Sequence, residues 1–512
     1  MRPSTPWSKI GDAWELIRTL SVPHTASAER LALWMTATGV AAVAGAVRVS
    51  GALHYAFWQD EVASARIMLE ATPLGVARQV GRTESTPPVW YALGWLVHRL
   101  GVSVTDVRLL SVIAGALLAA AVVFYARSLL PLWASGLAGL AVALGYQFVF
   151  HGRELRAYEL HALLSVGLAI AVSMYVAAPG VRKGVALALL VAAGALTIYF
   201  FLLSVASAAV WLGVSRDVRG LRRRALLWIG AGLVPFVVWS PVMVLQYRRH
   251  RFSFIGPFDG HAVLSSYYSL FARAEPRTSL LHDAAPLLVL AGVVAGSTLL
   301  ARRSDRGLLC ALLALVPLAA ATLVWLAGQP IFDVRNLIGA GPFAAIALAA
   351  LAAALPRVGA GAAACLAAAL LVYGFSQGDR VKPAPYDRVA DALVSEGWST
   401  RDPVILFGNF YAFRSPLEWY LPGQPALTLG EARKQPCTSV FVVALGSAAR
   451  NRTLHASALA ETRQVRGILV ARLGRPNSLT DQRWRGSHIL VAKAGHASCV
   501  HAVPEELVAS RL

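Results

Sequence analysis

Charged residues are scarce in this sequence. They make up 14% of the 512 residues, against about a quarter in an average soluble protein, whereas 57% of the residues are hydrophobic. This balance excludes an ordinary soluble domain and predicts a chain embedded in lipid. Acidic residues are the scarcest, since 27 Asp and Glu face 47 Lys and Arg, for a net charge of +20. Nucleic acid is still not the predicted partner, because many Arg residues fall in short loops between apolar runs, where they act as topology signals.

Cysteines and nucleotide-binding loops are lacking too. The four cysteines form no CxxC pair and no zinc-ligand spacing, and no GxGxxG or GxxxxGK[ST] loop is present. Cys310 and Cys365 lie in apolar runs and are predicted to be packed thiols. Cys437 and Cys499 lie in the polar C-terminal part, where an oxidising compartment would allow a disulfide.

Long apolar runs are what the sequence has in abundance. Most approach the ~20 residues that a helix needs to cross a ~30 Å hydrocarbon core. The predicted fold class is therefore an α-helical polytopic membrane protein with about eleven transmembrane helices. The predicted spans are 31–50, 109–126, 132–150, 160–178, 184–199, 200–214, 225–245, 284–301, 307–327, 337–355 and 358–375.

The segment 87–100 is too short to cross and is predicted to be an amphipathic helix in the interface, opened by Pro87-Pro88. Residues 1–30 lack the pattern of a signal peptide and are predicted to be cytoplasmic. With that orientation nearly every short Arg cluster falls on the cytoplasmic side, as the positive-inside rule requires. The first outer loop, 51–108, and the chain after about 377 are then extracytoplasmic, and the protein is predicted to lie in the inner (plasma) membrane.

Residues 377–512 differ in composition from the part before them, 31–376, which is predicted to be the membrane domain. They are polar and Arg-rich, with short apolar stretches that alternate with helical ones such as 386–397. A small C-terminal α/β domain in the extracytoplasmic space is predicted. Its strands are expected at 404–407, 439–445, 467–473 and 488–492.

Two adjacent carboxylates, Asp60 and Glu61, follow the first apolar run, with Trp58 just before them. Either carboxylate suits a general base, or an oxygen ligand of a divalent cation. The alternative is a pair of solvated charges at a helix end. A function is favoured, because carboxylates at a membrane boundary are costly to keep there.

Glu84 stands just before the Pro pair, with Tyr91 shortly after it. One interpretation is a charge stabilised by the start of the following helix. The other is a further carboxylate beside the first pair. The sequence leaves both open.

Basic side chains suited to phosphate occur in the outer loop around 151–157. Arg153 and Arg156 are three residues apart and would share one face of a helix, between His151 and Tyr158. Guanidinium groups match two phosphate oxygens at once. The alternative is snorkelling to the interface. Arg335 lies on the same predicted side, where it would meet either Asp333 or a lipid phosphate.

The order of these motifs resembles that of the GT-C glycosyltransferases of family 39, which include protein mannosyltransferases and lipid A aminoarabinose transferases. The resemblance covers about residues 30–375. It rests on the acidic pair, Glu84 to Tyr91, Arg108 with Ser111 and Gly115, the Arg-x-x-Arg-x-Tyr loop (Arg153, Arg156, Tyr158), and Arg335 before Pro342.

The resemblance implies an inverting transferase that takes a sugar from a polyprenyl-phosphate donor and faces the outside of the cell. Asp60 would be the base, Glu84 the second acidic site, and Arg153 or Arg156 the donor-phosphate ligand, with Arg335 as a further candidate. His151, Tyr158, Trp58 and Tyr91 would line the substrate site. Whether a divalent cation, Mg²⁺ or Mn²⁺, binds at Asp60 and Glu84 stays open.

Two departures from the family pattern bear on the acceptor. Thr86 stands where the family often has His, which removes a ligand or hydrogen-bond donor. No sugar-binding repeat domain is present, which disfavours protein O-mannosylation. The expected acceptor is an extracytoplasmic lipid, cell-envelope glycan or protein.

The same features bear on the reaction independently of the resemblance. Transfer from a sugar phosphate needs a base for the acceptor hydroxyl and positive charge on the departing phosphate, and the acidic and Arg clusters supply both. The lack of a phosphate-binding loop argues against a nucleotide-sugar donor. A polytopic transporter or a flippase for lipid-linked sugars is the alternative function.

The predicted topology gives a direct test. An odd number of spans after a cytoplasmic N-terminus leaves the chain outside the cytoplasm after residue 380. A reporter enzyme that works only outside the cytoplasm is expected to be active when fused there, with a fusion after residue 130 as the inactive control. Activity of a cytoplasmic reporter at residue 380 would refute the assignment.

Overall fold

The computed structural model describes residues 27–215, 218–249, 257–272, 281–329, 331–355, five helical positions between 361 and 372, and, in the C-terminal part, 386–395, 398–400, 404–407, 410–421, 423, 439–444, 468–469 and 490–495. The chain divides into two compact units. Unit 1 contains 1–52 and 67–375, and unit 2 contains 53–66 and 376–512.

The described elements are numbered in chain order. The helices are α1 Ser27–Ala52, α2 Gln59–Met68, α3 Pro73–Thr83, α4 Val89–Arg99, α5 Leu109–Arg127, α6 Leu132–Leu144, α7 Tyr146–His151, α8 Tyr158–Ala177, α9 Val181–Ala195, α10 Phe201–Val214, α11 Arg222–Arg248, α12 Gly260–Leu264, α13 Ser266–Phe271, α14 Leu281–Arg303, α15 Asp305–Leu326, α16 Gly341–Ala353, α17 Tyr386–Ser395 and α18 Phe410–Tyr420. The strands are β1 Val404–Phe407, β2 Ser439–Ala444, β3 Ile468–Leu469 and β4 Leu490–Gly495.

Unit 1 is helical, and the predicted α-helical membrane fold is confirmed. Among the described residues six helices are long and apolar enough to cross a membrane, in α1, α5, α8, α11, α14 and α15. Three shorter apolar helices, α6, α10 and α16, accompany them. The count of about eleven spans stays a prediction, and most of the run 358–375 lies outside the described residues.

The predicted span 132–150 is not one helix. Gly145 divides it into α6 and the six-residue helix α7. A side chain at Gly145 would lie 2.7 Å from the Ala141 carbonyl oxygen. At ~1.5 Å per residue α6 is about 20 Å long, which is shorter than the hydrocarbon core. After this break, α7 leads into the irregular segment 152–157, which precedes α8.

The amphipathic helix predicted at 87–100 is present as α4. Trp90, Tyr91 and Gly94 form its buried face, whereas Leu96 is 49% exposed. The Arg99 guanidinium donates to the carbonyl oxygens of the turn between α2 and α3 at 2.7 and 3.1 Å, which fixes the C-terminal end of α4.

Small residues bring α1, α5 and α6 close together. On α1 the buried positions follow helical spacing, and they pack on α5 and α6 through one apolar cluster. A side chain on Gly139 of α6 would lie 2.5 Å from Val123 of α5. Close backbone approach through small residues is how helices associate in lipid. The cluster contains Leu33, Ala37, Val40, Ala44, Val47, Ala119, Val123, Ala143, Leu144 and Val149.

A buried guanidinium ties these three helices to α8. Arg48 of α1 is fully buried and donates to the Ala143 and Val142 carbonyl oxygens, at 2.8 and 3.3 Å, at the C-terminal end of α6. It also pairs with Glu159 in the first turn of α8, at 3.4 Å. The last carbonyl oxygens of a helix have no partner within the helix, so Arg48 supplies one and Glu159 balances its charge.

Unit 2 contains a four-stranded mixed sheet with strand order β1-β2-β4-β3. Strands β1 and β2 are parallel, with Val404 opposite Phe441, and α18 lies between them in the sequence. The β2–β4 and β3–β4 pairs are antiparallel. Strands occur at all four positions where the sequence predicted them. Cys437 and Cys499 lie outside the described residues, so their disulfide stays a prediction.

Unit 2 also includes Leu53–Arg66, the start of the first predicted loop. The Phe57 ring lies 5.7 Å from that of Trp419, and the Phe57 backbone N–H donates to the Tyr420 hydroxyl at 2.8 Å. A segment that packs on the C-terminal domain must lie on the same side of a membrane as that domain. An even number of crossings therefore separates the two along the chain.

The packing around Arg48 predicts a stability effect at Gly115 of α5. A side chain there would overlap Arg48 Nε and lie 3.0 Å from Glu159 Oε2. Gly115→Ala is expected to lower the free energy of unfolding by about 1–3 kcal/mol, as overpacking does. Thermal unfolding in detergent measures it. Gly39→Ala is the control, since its side chain would meet nothing within 4 Å. Equal midpoints for both variants would contradict the prediction.

Candidate active site

One end of unit 1, here called its polar end, consists of the C-terminal ends of α1 and α6, the N-terminal ends of α5 and α8, and the segment 151–157. This segment lies at its centre. The Ser111 hydroxyl of α5 contacts the Glu154 and Arg156 carbonyl oxygens, at 2.6 and 3.2 Å. The Trp90 indole of α4 donates to the Leu155 carbonyl oxygen at 3.3 Å. Two helices thus hold an irregular backbone in place by satisfying its carbonyl groups.

Arg153 and Arg156 do not share the face of a helix, and that prediction is wrong. The backbone from 152 to 157 forms turns and bends between α7 and α8. The carbonyl oxygens of Glu154, Leu155 and Arg156 accept from Ser111 and Trp90. The two side chains consequently meet different partners.

Arg153 extends to the end of α1. Its guanidinium donates to the Val47 carbonyl oxygen, with Nε at 3.2 Å, and approaches the Ser50 hydroxyl at 3.4 Å. The side chain is 1% exposed and would overlap any side chain at Gly51. Arg153 therefore caps α1 and ties it to the segment 151–157.

Arg156 lies in a second, separate cluster. Its Nη1 lies 3.3 Å from Glu84 Oε2 and 3.3 Å from the Tyr91 hydroxyl oxygen. Tyr91 in turn shares a hydrogen bond of 2.9 Å with the Thr86 hydroxyl. Arg156 and Glu84 are 7% and 5% exposed. The cluster is thus a nearly buried guanidinium held between a carboxylate and a hydroxyl.

Glu84 does not lie at the start of the helix that follows it. It is the C-terminal cap of α3, and α4 begins five residues later at Val89. The end of α3 carries a partial negative charge, which disfavours a carboxylate there. Arg156 offsets this, so Glu84 is stabilised by an ion pair and not by the dipole of the next helix.

Tyr91 stays a neutral hydroxyl. Burial raises its pKa well above the usual value; Arg156 opposes the rise and Glu84 adds to it. A neutral hydroxyl accepts from Arg156 and shares a hydrogen bond with the Thr86 hydroxyl. Thr86, which replaces the His expected from the family pattern, therefore forms part of the Arg156 cluster.

His151 and Tyr158 lie at the two ends of the segment 151–157. Their rings are 4.2 Å apart, and His151 Nδ1 pairs with Glu154 Oε2 at 2.8 Å. All three side chains are buried. His151 Nε2 and Glu154 Oε1 find no partner among the described residues.

Asp60 and Glu61 belong to unit 2 and form the first turn of α2, where the helix dipole stabilises negative charge. Glu61 is fully buried and accepts from the Trp58 backbone N–H at 3.4 Å. Asp60 is partly exposed. The two carboxylates therefore differ, since Glu61 caps its own helix and Asp60 is the more accessible.

Two further Arg residues, Arg335 and Arg249, have local partners. Arg335 Nε pairs with Asp333 at 2.9 Å, and Asp333 also caps the short 3₁₀ helix Val334–Leu337. Arg249 at the end of α11 donates to the Gly81 carbonyl oxygen at 3.3 Å.

The sequence-based search did not single out Arg48, Glu159 and His161. All three are buried, and both ring nitrogens of His161 lack a partner among the described residues. The signal that reveals them is an ionisable side chain inside an apolar run, which is costly in lipid and needs a partner. Arg48 and His161 lie within the predicted spans 31–50 and 160–178, and Glu159 immediately precedes the second of them.

A divalent cation fits poorly at Glu84, whose carboxylate faces the Arg156 guanidinium. In the part of the chain that the structure describes, no group of three or more His, Cys, Asp or Glu side chains converges on a metal position. The Glu84 carboxylate instead forms an ion pair with Arg156.

Comparison with known proteins gives a match in structure but not in sequence. No family model and no curated protein matches the chain. The apo crystal structure of ArnT from Cupriavidus metallidurans matches with a TM-score of 0.52 at 15% identity, covering 91% of this chain and 98% of that one. The ArnT structure bound to undecaprenyl phosphate matches with a TM-score of 0.51 at 14% identity, with the same coverage.

The archaeal oligosaccharyltransferase AglB from Archaeoglobus fulgidus, in complex with an inhibitory peptide and a dolichol-phosphate, has a TM-score of 0.50 at 11% identity. The match covers 93% of this chain and 78% of AglB. Identities this low establish likeness of fold. The chain thus has the GT-C membrane fold that the order of its sequence motifs predicted.

Proposed function

We propose that the protein is an integral-membrane glycosyltransferase that moves a sugar from a polyprenyl-phosphate donor to an extracytoplasmic acceptor, with inversion at the anomeric carbon. The observation that carries the proposal is the buried Arg156 cluster at the polar end of a GT-C fold. The acceptor is a lipid, a cell-envelope glycan or a protein.

The fold supports this class of donor. Two structures of the same fold hold lipid phosphates, undecaprenyl phosphate in ArnT and a dolichol-phosphate in AglB. A chain with long apolar helices keeps a polyprenyl tail in lipid while its polar end meets the headgroup. Arg156 is the side chain we assign to the donor phosphate.

Arg156 suits a phosphate better than Arg153 does. Arg153 is fixed to the end of α1, which makes it a positioning residue for the segment 151–157. Arg156 is held by a carboxylate and a hydroxyl in a buried cluster, where charge-assisted bonds are strong because little water competes for them. As the bond between sugar and phosphate breaks, its positive charge stabilises the departing phosphate.

Asp60 is the residue we assign as the base. The acceptor hydroxyl oxygen attacks the anomeric carbon on the face opposite the phosphate, the bond from that carbon to the phosphate oxygen breaks, and Asp60 takes the hydroxyl proton. Glu61 is buried as the cap of α2 and supports its neighbour. Glu84 pairs with Arg156, whereas a divalent cation at Asp60 stays a prediction.

The transporter alternative is less well supported. A transporter is expected to place polar groups near the middle of its spans. Arg48 lies four residues before the end of α1, and Glu159 is the second residue of α8. These buried charges lie at the ends of their helices.

The phosphate assignment predicts the kinetics of Arg156→Ala. Loss of a charge-assisted bond worth about 1.5–3 kcal/mol is expected to lower kcat/KM for the donor about tenfold or more. Arg156→Lys is expected to recover part of it, since Lys lacks the planar fork. Arg78→Ala removes an exposed Arg from α3 and is the control. Unchanged donor kinetics in Arg156→Ala would refute the assignment.

The base assignment predicts the effect of Asp60→Asn. Asn has nearly the same shape but takes no proton, so turnover is expected to fall by ~10²-fold or more while donor binding persists. Glu61→Gln is expected to cause a milder loss, because Gln still accepts from the Trp58 N–H. Asp106→Asn, in the same predicted loop, is the control. Near-full turnover in Asp60→Asn, with loss in Glu61→Gln or Glu84→Gln, would place the base elsewhere.

A further inference from the structure

The start of the first predicted outer loop is held by the C-terminal domain on both sides of the acidic pair. Three residues before Asp60, the Phe57 backbone N–H donates to the Tyr420 hydroxyl at 2.8 Å. Six residues after Asp60, Arg66 lies 4.0 Å from Glu418. Both partners lie on the last turn of α18.

The contact at Phe57 is the firmer of the two. The Phe57 side chain is fully buried, and its ring lies 5.7 Å from Trp419 with the planes tilted by 57°. The Arg66–Glu418 pair is partly exposed, with side-chain exposures of 49% and 21%, and such pairs contribute little. Glu418 is itself oriented by Arg414 at 2.8 Å.

The position of the contact matters for the direction of α2. The helix begins at Gln59, and the Phe57 peptide precedes it by two residues. The orientation of a first helical turn is set by the backbone that enters it, as in staple arrangements at helix starts. A hydrogen bond to the Phe57 N–H therefore holds the backbone that leads into the helical turn carrying Asp60.

We infer that the C-terminal domain is a positioning element of the active site, in which Tyr420 acts through the Phe57 backbone to orient Asp60. Tyr420 is a positioning residue and touches no reacting atom. The inference rests on the proposed function for its effect on turnover, but the contact it describes is independent of the reaction. It gives the C-terminal domain a role in catalysis, which the sequence left open.

Tyr420→Phe in the full-length protein tests this, since it removes one hydroxyl and keeps the ring. Hydrogen–deuterium exchange reads the contact directly, because the donor is a backbone amide. Exchange of the peptide covering 54–62 is expected to rise about tenfold. Turnover is expected to fall about tenfold with donor KM within about twofold, since misorientation of a base affects the chemical step.

Tyr386→Phe is the matched control. It removes a hydroxyl from α17 of the same unit, where Tyr386 is 3% exposed, and it is expected to change neither turnover nor exchange at 54–62. If Tyr420→Phe leaves that exchange unchanged, the positioning contact is refuted. If exchange rises and turnover does not change, the catalytic role is refuted.

A double variant separates this inference from the proposed function. If Tyr420 acts through Asp60, adding Tyr420→Phe to Asp60→Asn is expected to lower turnover no further, because residues that act as one unit are not additive. A further tenfold loss would refute action through Asp60. Full turnover in Asp60→Asn alone would refute the proposed base, whereas the exchange result for Tyr420→Phe would still decide the contact.

If Tyr420→Phe does not fold, Trp419→Phe replaces it as the test, because it alters the ring packed on Phe57. Trp419→Phe is expected to raise hydrogen–deuterium exchange of the peptide covering 54–62. No rise in that exchange would refute the contact.

Discussion

Unit 1 depends on guanidinium groups that bind the carbonyl oxygens of buried helix ends. In lipid, each unpaired backbone group costs several kcal/mol, and water is not there to replace the missing partner. Arg48 serves the end of α6, and Arg153 and Arg108 serve the end of α1, where Arg108 Nη1 donates to the Ala52 carbonyl oxygen at 3.1 Å. Helices can therefore end inside the protein, and an irregular segment can lie between them.

This constraint explains how Arg156 is presented. A helical backbone through 152–157 would use its own carbonyl groups and would direct Arg153 and Arg156 to one side. Because Ser111 and Trp90 take those carbonyl groups, the segment turns, and the two guanidinium groups separate. One of them stabilises the fold. The other is left to pair with Glu84 and Tyr91, in the cluster to which we assign the donor phosphate.

The residues to which we assign roles belong to different units of the chain. The Arg156 cluster belongs to unit 1, whereas Asp60 and Glu61 belong to unit 2 with the C-terminal domain. An Asp at a helix start is stabilised by the dipole and stays accessible, while its buried neighbour caps the helix. The contacts of Phe57 with Tyr420 and Trp419 join the segment that carries the acidic pair to α18.

The sequence by itself determined the class of fold and the positions of most elements. The length and apolarity of the runs indicate membrane helices, because the thickness of the hydrocarbon core sets a similar length for all of them. The strand positions in residues 377–512 follow from short apolar stretches. The order of the acidic and Arg motifs predicted the GT-C fold. Arg48 and His161 lie within the predicted spans and could also have been found from the sequence, because an ionisable residue is costly in lipid, but the predicted motifs did not include them.

Only the tertiary structure decided how the polar side chains pair. Helical spacing predicted that Arg153 and Arg156 share a face, but Ser111 and Trp90, 40 and more residues away, determine the backbone there. The sequence left open whether Glu84 is a charge at the start of α4 or a further carboxylate of the acidic pair, and in the structure it is the cap of α3 and pairs with a residue 72 positions away. The contact between Phe57 and Tyr420 joins residues 363 positions apart. Pairings of this kind depend on how distant elements pack, and local sequence patterns carry no information about that.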